Sequence, residues 1–383
     1  MEFTNDECYR ETFRLENRKK LMDNLTENLS EYHSIDLGVH YLGNKKIKPF
    51  VNELAINTSL VHLKLNENRI RNLGIVYLAR ALTANTTLKH LNLRDNRFRK
   101  TGVLAIAKML TCNSSLTFLN MGFNRFHLDR QTMKTFGYRL GQNKGLQTLI
   151  LDNTFNNNNT IDGFEYLAHA LKIHSSLTHV NLNYNDLKVS GAQLVSEMIL
   201  KNHCITHLEL TGNSIRDEGA IMIASALSKS SLRYLNLSAN RIQCEGAQAI
   251  AEALGSNSCL LNLEIRCNLF ETRGAKAMAK MIETNTCLMH LDISYNRIET
   301  EALQAIRQAY ENSNLHCLNV MDENNFYSED SKMELKKVMK ITRNNNAKLI
   351  SCLYKIPTLL YLFEKEVDSQ EYLFAIFSRC LKS

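Results

Sequence analysis

Leucine-like residues recur along this chain at positions 1, 4 and 6 of a short string that carries asparagine at position 9 and another apolar residue at position 11. The pattern is clear at Leu60, Leu63, Leu65, Asn68 and Ile70, and it returns at Leu88, Leu91, Leu93, Asn96 and Phe98, then at Leu116, Leu119, Met121, Asn124 and Phe126. Later copies start at Leu146, Leu177, Ile205, Leu232, Leu260, Leu288 and Leu315. A degenerate leading copy begins at Tyr32, with Ile35, Leu37 and Leu42 but His40 at the asparagine place. Successive starts differ by 28, 28, 28, 30, 31, 28, 27, 28, 28 and 27 residues, so eleven repeats organise the chain.

Each repeat predicts a short strand followed by a helix. In Leu63–Lys64–Leu65 the two leucines point inward and the residue between them outward, as the period of two demands. From Gly74 the segment Ile75 to Leu82 places Leu78, Ala81 and Leu82 on one helical face, and small residues such as Ala79, Ala107 and Ala224 let the helix approach the sheet. Asn85, Asn113, Asn202, Asn257 and Asn285 stand three residues before the next repeat, where a left-handed helix end is expected. The asparagines at position 9, from Asn68 to Asn296, are expected to satisfy buried backbone groups at the bend after each strand. One repeat cannot bury its own apolar face, so the repeats must stack.

The grammar resembles the leucine-rich repeat family, and GAQAIAEALGSNSCLLNLEIRCN, from Gly246 to Asn268, looks most like its ribonuclease-inhibitor subfamily. That resemblance implies an α/β fold: a right-handed solenoid, or horseshoe, with a parallel sheet on the concave face and helices on the convex face. It also implies a cytoplasmic, non-catalytic scaffold whose inner face binds a partner protein. The expected organisation is an N-terminal helical cap at 1–31, the repeats at 32–327, and a C-terminal cap or small docking module at 328–383. Within the ends, an amphipathic helix is expected over Glu11 to Leu29, and about three helices after Ser328, broken near Asn344–Asn346 and at Pro357.

Composition removes other readings. With two prolines and no Gly/Ser-rich run there is no visible linker, and no apolar run is long enough to span a membrane. Ten dispersed cysteines, without a CxxC pair or an N-terminal apolar core of a signal peptide, read as reduced thiols. Phosphate-loop, HExxH, GxSxG and dinucleotide motifs are missing, so no catalytic residue, cofactor or metal is expected. A monomer is expected, with no nucleic acid as partner. The net charge of +7 permits an acidic partner without pointing to one.

Candidate chemistry lies on the outward strand positions. Phe118, Phe123, Ile150, Tyr184 and Tyr234 would bring apolar groups to one exposed face over five strands, with Asp152 and Glu209 among the polar neighbours. A basic ledge is formed by Arg69, Arg97 and Arg125 at position 10, thickened by Arg71, Arg94, Arg99 and Lys100. Histidines at position 3, in the neighbouring pairs His62/His90 and His179/His207, lack a third zinc ligand, and as stacked imidazoles they could titrate near neutrality. The repeat starting at Leu146 has Thr154 at the asparagine place and continues Phe155-Asn-Asn-Asn-Asn-Thr160, either a ligand-contacting lip or tolerated loop growth.

Two functions compete. The first is a protein-binding scaffold, either an adaptor or a bacterial effector working in a host cell; Glu364 to Glu371 resembles the acidic patch near the end of some secreted effectors. The second is a GTPase activator similar to the Ran GTPase-activating protein, for which Arg69, Arg94 and Arg97 are chemically eligible.

Overall fold

The structure, a computed structural model, describes residues 23–124, 126, 129–155, 163–320 and 329–354, and in the last helix side chains from 330 to 342. The chain forms two compact parts, 1–240 and 241–383. The first holds β1 (Ser34–Asp36), α1 (Gly43–Ile56), β2 (His62–Lys64), α2 (Asn72–Ala84), β3 (His90–Asn92), α3 (Lys100–Leu110), β4 (Phe118–Asn120), α4 (Arg130–Gln142), β5 (Thr148–Ile150), α5 (Phe164–Ile173), β6 (His179–Asn181), α6 (Lys188–Lys201), β7 (His207–Glu209), α7 (Arg216–Leu227) and β8 (Tyr234–Asn236). The second holds α8 (Cys244–Ser256), β9 (Asn262–Glu264), α9 (Glu271–Thr284), β10 (His290–Asp292), α10 (Thr300–Glu311), β11 (Cys317–Asn319) and α11 (Glu329–Tyr354).

Strands pair in parallel and in chain order, β1 to β8 in the first part and β9 to β11 in the second. Equivalent positions stand opposite each other: Leu63 faces Leu91, which faces Leu119. This is the α/β solenoid architecture that the repeat predicts, strand and helix alternating. Leu63, Leu65, Leu91, Leu93, Leu119 and Met121 are fully buried, against helix residues such as Ile75, Leu78 and Leu82. Full burial of a leucine side chain contributes about 1.5–3 kcal/mol, and each helix packs on the next, so the core extends repeat by repeat within each part.

Asparagine side chains tie the repeats together. Asn96 Nδ2 donates to Leu65 O at 2.8 Å and Leu93 O at 3.1 Å, while its Oδ1 accepts from Asn68 N and Ile70 N, both at 3.1 Å. Asn68, Asn124, Asn185 and Asn213 bond in the same way. A second ladder runs through the asparagines three residues before each repeat. Asn85 Nδ2 reaches Leu54 O and Asn57 O of the preceding repeat, and its Oδ1 accepts from Thr87 N and Leu88 N.

That second ladder corrects one expectation. Asn85, Asn202, Asn257 and Asn285 are extended, with φ between −93° and −71°, not left-handed. Their role is carried by the side-chain amide, which needs an extended backbone to reach two carbonyls of the preceding repeat. Left-handed residues instead bracket the position-9 asparagines, as at Glu67 and Arg69 (φ 58° and 55°) and at Asp95 and Arg97 (φ 47° and 60°).

The repeat at β5 interrupts the first ladder. Thr154 Oγ1 donates to Leu151 O of its own repeat and makes no bond to Met121 O, the carbonyl an asparagine would take in the preceding one. The expected lip after Phe155 falls at 156–162, outside the described residues. At the first end, 23–27 are helical and Leu25 and Leu29 are buried; the rest of the Glu11–Leu29 helix lies outside the described residues. At the other end, the break expected at Asn344–Asn346 does not occur, because α11 runs on to Tyr354. Each asparagine costs a helix only about 0.7 kcal/mol, too little to stop one already seeded. Thr342 Oγ1 of this helix donates to Leu318 O, and Val338 is fully buried.

Candidate functional site

On the face of the sheet turned away from the helices, position 5 fixes the backbone of position 7. Asn92 Oδ1 accepts from Arg94 N, Asn120 Oδ1 from Gly122 N, and Asn181 Oδ1 from Asn183 N. The side chains at position 7 therefore leave a rigid turn. Arg94 uses that rigidity to reach across a whole repeat, and its guanidinium binds the Asp152 carboxylate two repeats on.

Gly122 lies directly beneath this crossing. A Cβ there would fall 1.8 Å from Asp152 Oδ1, so only glycine admits the pair. The Arg94 guanidinium also lies 3.8 Å over the Phe123 ring, an arrangement in which the ring quadrupole attracts the cation. Asp152 is only 7% exposed, and its second oxygen, Oδ1, has no hydrogen-bond partner. Arg94, grouped with the ledge by sequence, thus belongs to the centre of the face with Asp152 and Phe123.

Farther along, Glu209 Oε2 accepts from Asn181 Nδ2 at 2.9 Å and from Asn183 Nδ2 at 2.7 Å, locking two repeats together. Tyr184, 49% exposed, lays its ring over Gly212, whose φ of 69° marks a position suited to glycine. Ile150 and Phe123 are half-buried. Phe118 is half-buried too, stacked 3.8 Å from the His90 ring in a row that continues through His62 to His33. Tyr234 departs from the expected exposure: it is 5% exposed, stacked on His207, with its hydroxyl accepting from Asn236 Nδ2. The five apolar residues therefore do not form one continuous exposed stripe. Phe123 and Tyr184 remain accessible, whereas Tyr234 is covered on the same face, with His207 stacked on its ring.

The ledge keeps Arg69 and Arg97, both exposed, with Arg69 lying 4.6 Å over the Tyr41 ring. Lys100 pairs with Asp129, and Arg125 lies outside the described residues. Among the histidines, burial, then His179 and Arg233, push His207 down to about 4, so it is neutral at pH 7 and does not titrate near neutrality. Burial likewise lowers His290. No group of three metal-ligating side chains occurs among the described residues. Cys259 and Cys287 are free thiols, and burial raises the pKa of Cys287, whose Sγ donates to Asn257 O and Leu260 O.

The Arg94–Gly122–Asp152 arrangement is absent from the sequence reading as a unit. Its signal is the column at position 7, where arginine, glycine and aspartate follow one another in three successive repeats.

Six segments, 57–79, 84–107, 174–196, 201–224, 228–251 and 284–306, match the family described as Leucine Rich repeat. No curated protein matches the chain. Similar solved structures include a leucine-rich repeat-containing protein, LegL7, from Legionella pneumophila, at 16% identity over 83% of this chain and 93% of that one, TM-score 0.46. The tropomodulin C-terminal domain from Caenorhabditis elegans is 11% identical over 41% and 92%, TM-score 0.35. Leiomodin-1 Actin-Binding Site 2 is 23% identical over 40% and 86%, TM-score 0.35. No helix among the described residues is long and apolar enough to cross a membrane.

Proposed function

We propose that this chain, a protein built of leucine-rich repeats, is a non-catalytic scaffold that holds a partner protein against the helix-free face of its first part. The observation that carries this reading is the Arg94–Phe123–Asp152 assembly, a guanidinium fixed by a carboxylate and a ring before any partner arrives. Side chains immobilised in advance lose little entropy on binding, and arginine and aromatic groups dominate interface energies. Tyr184 adds an exposed ring three repeats from Arg94 on the same face. The scaffold acts in the cytoplasm, as an adaptor or as an effector delivered into a host cell.

Capture from cytosolic lysate with the full chain, read by mass spectrometry, tests the assignment. Tyr184→Asp and Phe123→Asp should lose the proteins that the parent retains, while melting stays within a few degrees of the parent. Retention of the same proteins at equal abundance by both variants places the partner surface elsewhere.

A further inference from the structure

The loops from β2 to α2 and from β3 to α3 carry arginines in a two-by-two array: Arg69 and Arg97 at position 10, Arg71 and Arg99 at position 12. All four are exposed, and none forms an ion pair with a described residue. Glu67 and Asp95, two residues before the position-10 arginines, leave them unpaired. Arg69 and Arg97 share a left-handed backbone, φ 55° and 60°, so their side chains leave successive turns in the same direction. Tyr41, left-handed at φ 51° in the preceding repeat, supports Arg69 with its ring.

Helices α2 and α3 begin at this array, each without an acidic residue in its first turn, so their positive ends add to the arginines. The helix starts are capped by neutral amides from the preceding repeats. Asn44 Oδ1 accepts from Arg71 N and Gly74 N, and Asn72 Oδ1 from Arg99 N and Gly102 N. The next helix, α4, is treated differently: the Asp129 carboxylate accepts from Thr132 N and pairs with Lys100. An acidic cap is present at α4 and absent at α2 and α3, where the Asp129 carboxylate is taken up by Lys100 and leaves the four arginines unpaired.

We propose that this ledge is a docking surface for an acidic, extended peptide segment of a partner protein. Neighbouring strands lie ~4.8 Å apart, and side chains on one edge of an extended peptide recur every ~6.6 Å, a difference that long arginine side chains absorb. Guanidinium forks match carboxylates in paired hydrogen bonds, and the upturned helix ends favour the same sign of charge. The ring present, Tyr41, already carries Arg69 on one side, which favours a peptide over bases that need open rings to stack on. The ledge uses neither Arg94 nor Asp152, so the fate of the scaffold assignment does not decide this one.

The test is fluorescence anisotropy of a labelled peptide of alternating glutamate and serine titrated with the full chain. Saturable, salt-sensitive binding is expected, weakened at least about tenfold in the double variant R69E/R97E. Arg216→Glu, at an exposed position-12 arginine of a later repeat, should leave it unchanged. The neutral double variant R69Q/R97Q, expected to show a smaller loss, serves if the charge reversal disturbs the melt. No saturable binding, an affinity unmoved in a well-folded double variant, or tighter binding of a single-stranded oligonucleotide through the same arginines overturns the proposal.

Discussion

His174 shows how a single residue can bend a repeating rule. It stands where the second ladder has asparagine, is 1% exposed, and uses Nδ1 to accept from Ser176 N and Leu177 N. An asparagine there would also donate to the preceding repeat; His174 Nε2 has no partner. Burial, with Lys144 nearby, lowers the imidazole from 6.5 to about 4. A folded-state value below the unfolded one means that stability from this site is complete above about pH 6.5 and is lost as pH falls towards 4, on the order of 3 kcal/mol in all. His207 titrates over the same window and adds its own share. His174→Asn should therefore stabilise the protein by about 1 kcal/mol at pH 7 by restoring a buried donor, and by more at pH 5. Urea denaturation at both pH values checks it; equal gains at the two values contradict the account. The asparagine pattern was legible in the sequence, but its mechanism was not, because a side-chain amide reaching the preceding repeat depends on backbone conformation that composition does not reveal.

At the scale of the element, helix starts reveal how charge is distributed. Asp129 binds Lys100 and also caps α4 through Thr132 N, which together hold its carboxyl down from 3.8 to about 2. With the folded value depressed, the contribution is present above about pH 4 and disappears as pH falls through 2. Asp129→Asn, which keeps an acceptor but removes the charge, should flatten the fall in stability across that window by lowering the melting point modestly at neutral pH while leaving it nearly unchanged at about pH 2. An acid titration followed by circular dichroism reads this directly, and an unchanged acid limb in the variant would show that Asp129 carries no such linkage. The strand and helix order was legible from periodicity because leucine spacing dictates which faces must be buried. The continuous α11 was not legible, since three asparagines weaken a helix without ending it.

At the scale of the whole molecule, the repeat makes a distinct prediction. Asn57 Oδ1 accepts from Ser59 N and Leu60 N, and Asn85 Oδ1 from Thr87 N and Leu88 N, an identical pattern one repeat on. Excising Leu60–Thr87 joins Ser59 to Leu88 in register, so the shortened chain should fold cooperatively, whereas excising Leu60–Leu73, half a repeat, should not. Far-ultraviolet circular dichroism and thermal melting distinguish them; equal helix content and melting in both variants contradicts a register-dependent core. The eleven repeats, their parallel order, the buried leucines and the asparagine positions follow from the sequence by itself, because a period near 28 residues leaves one way to bury every apolar stripe. The tertiary structure decided what the period does not encode. Arg94 meets Asp152 across Gly122 because a missing Cβ in the intervening repeat opens the route, and Tyr234 is buried by a ring stacked on it. Such contacts depend on which side chain is absent from, or leans over, the neighbouring turn, and that is a property of packed volume rather than of spacing along the chain.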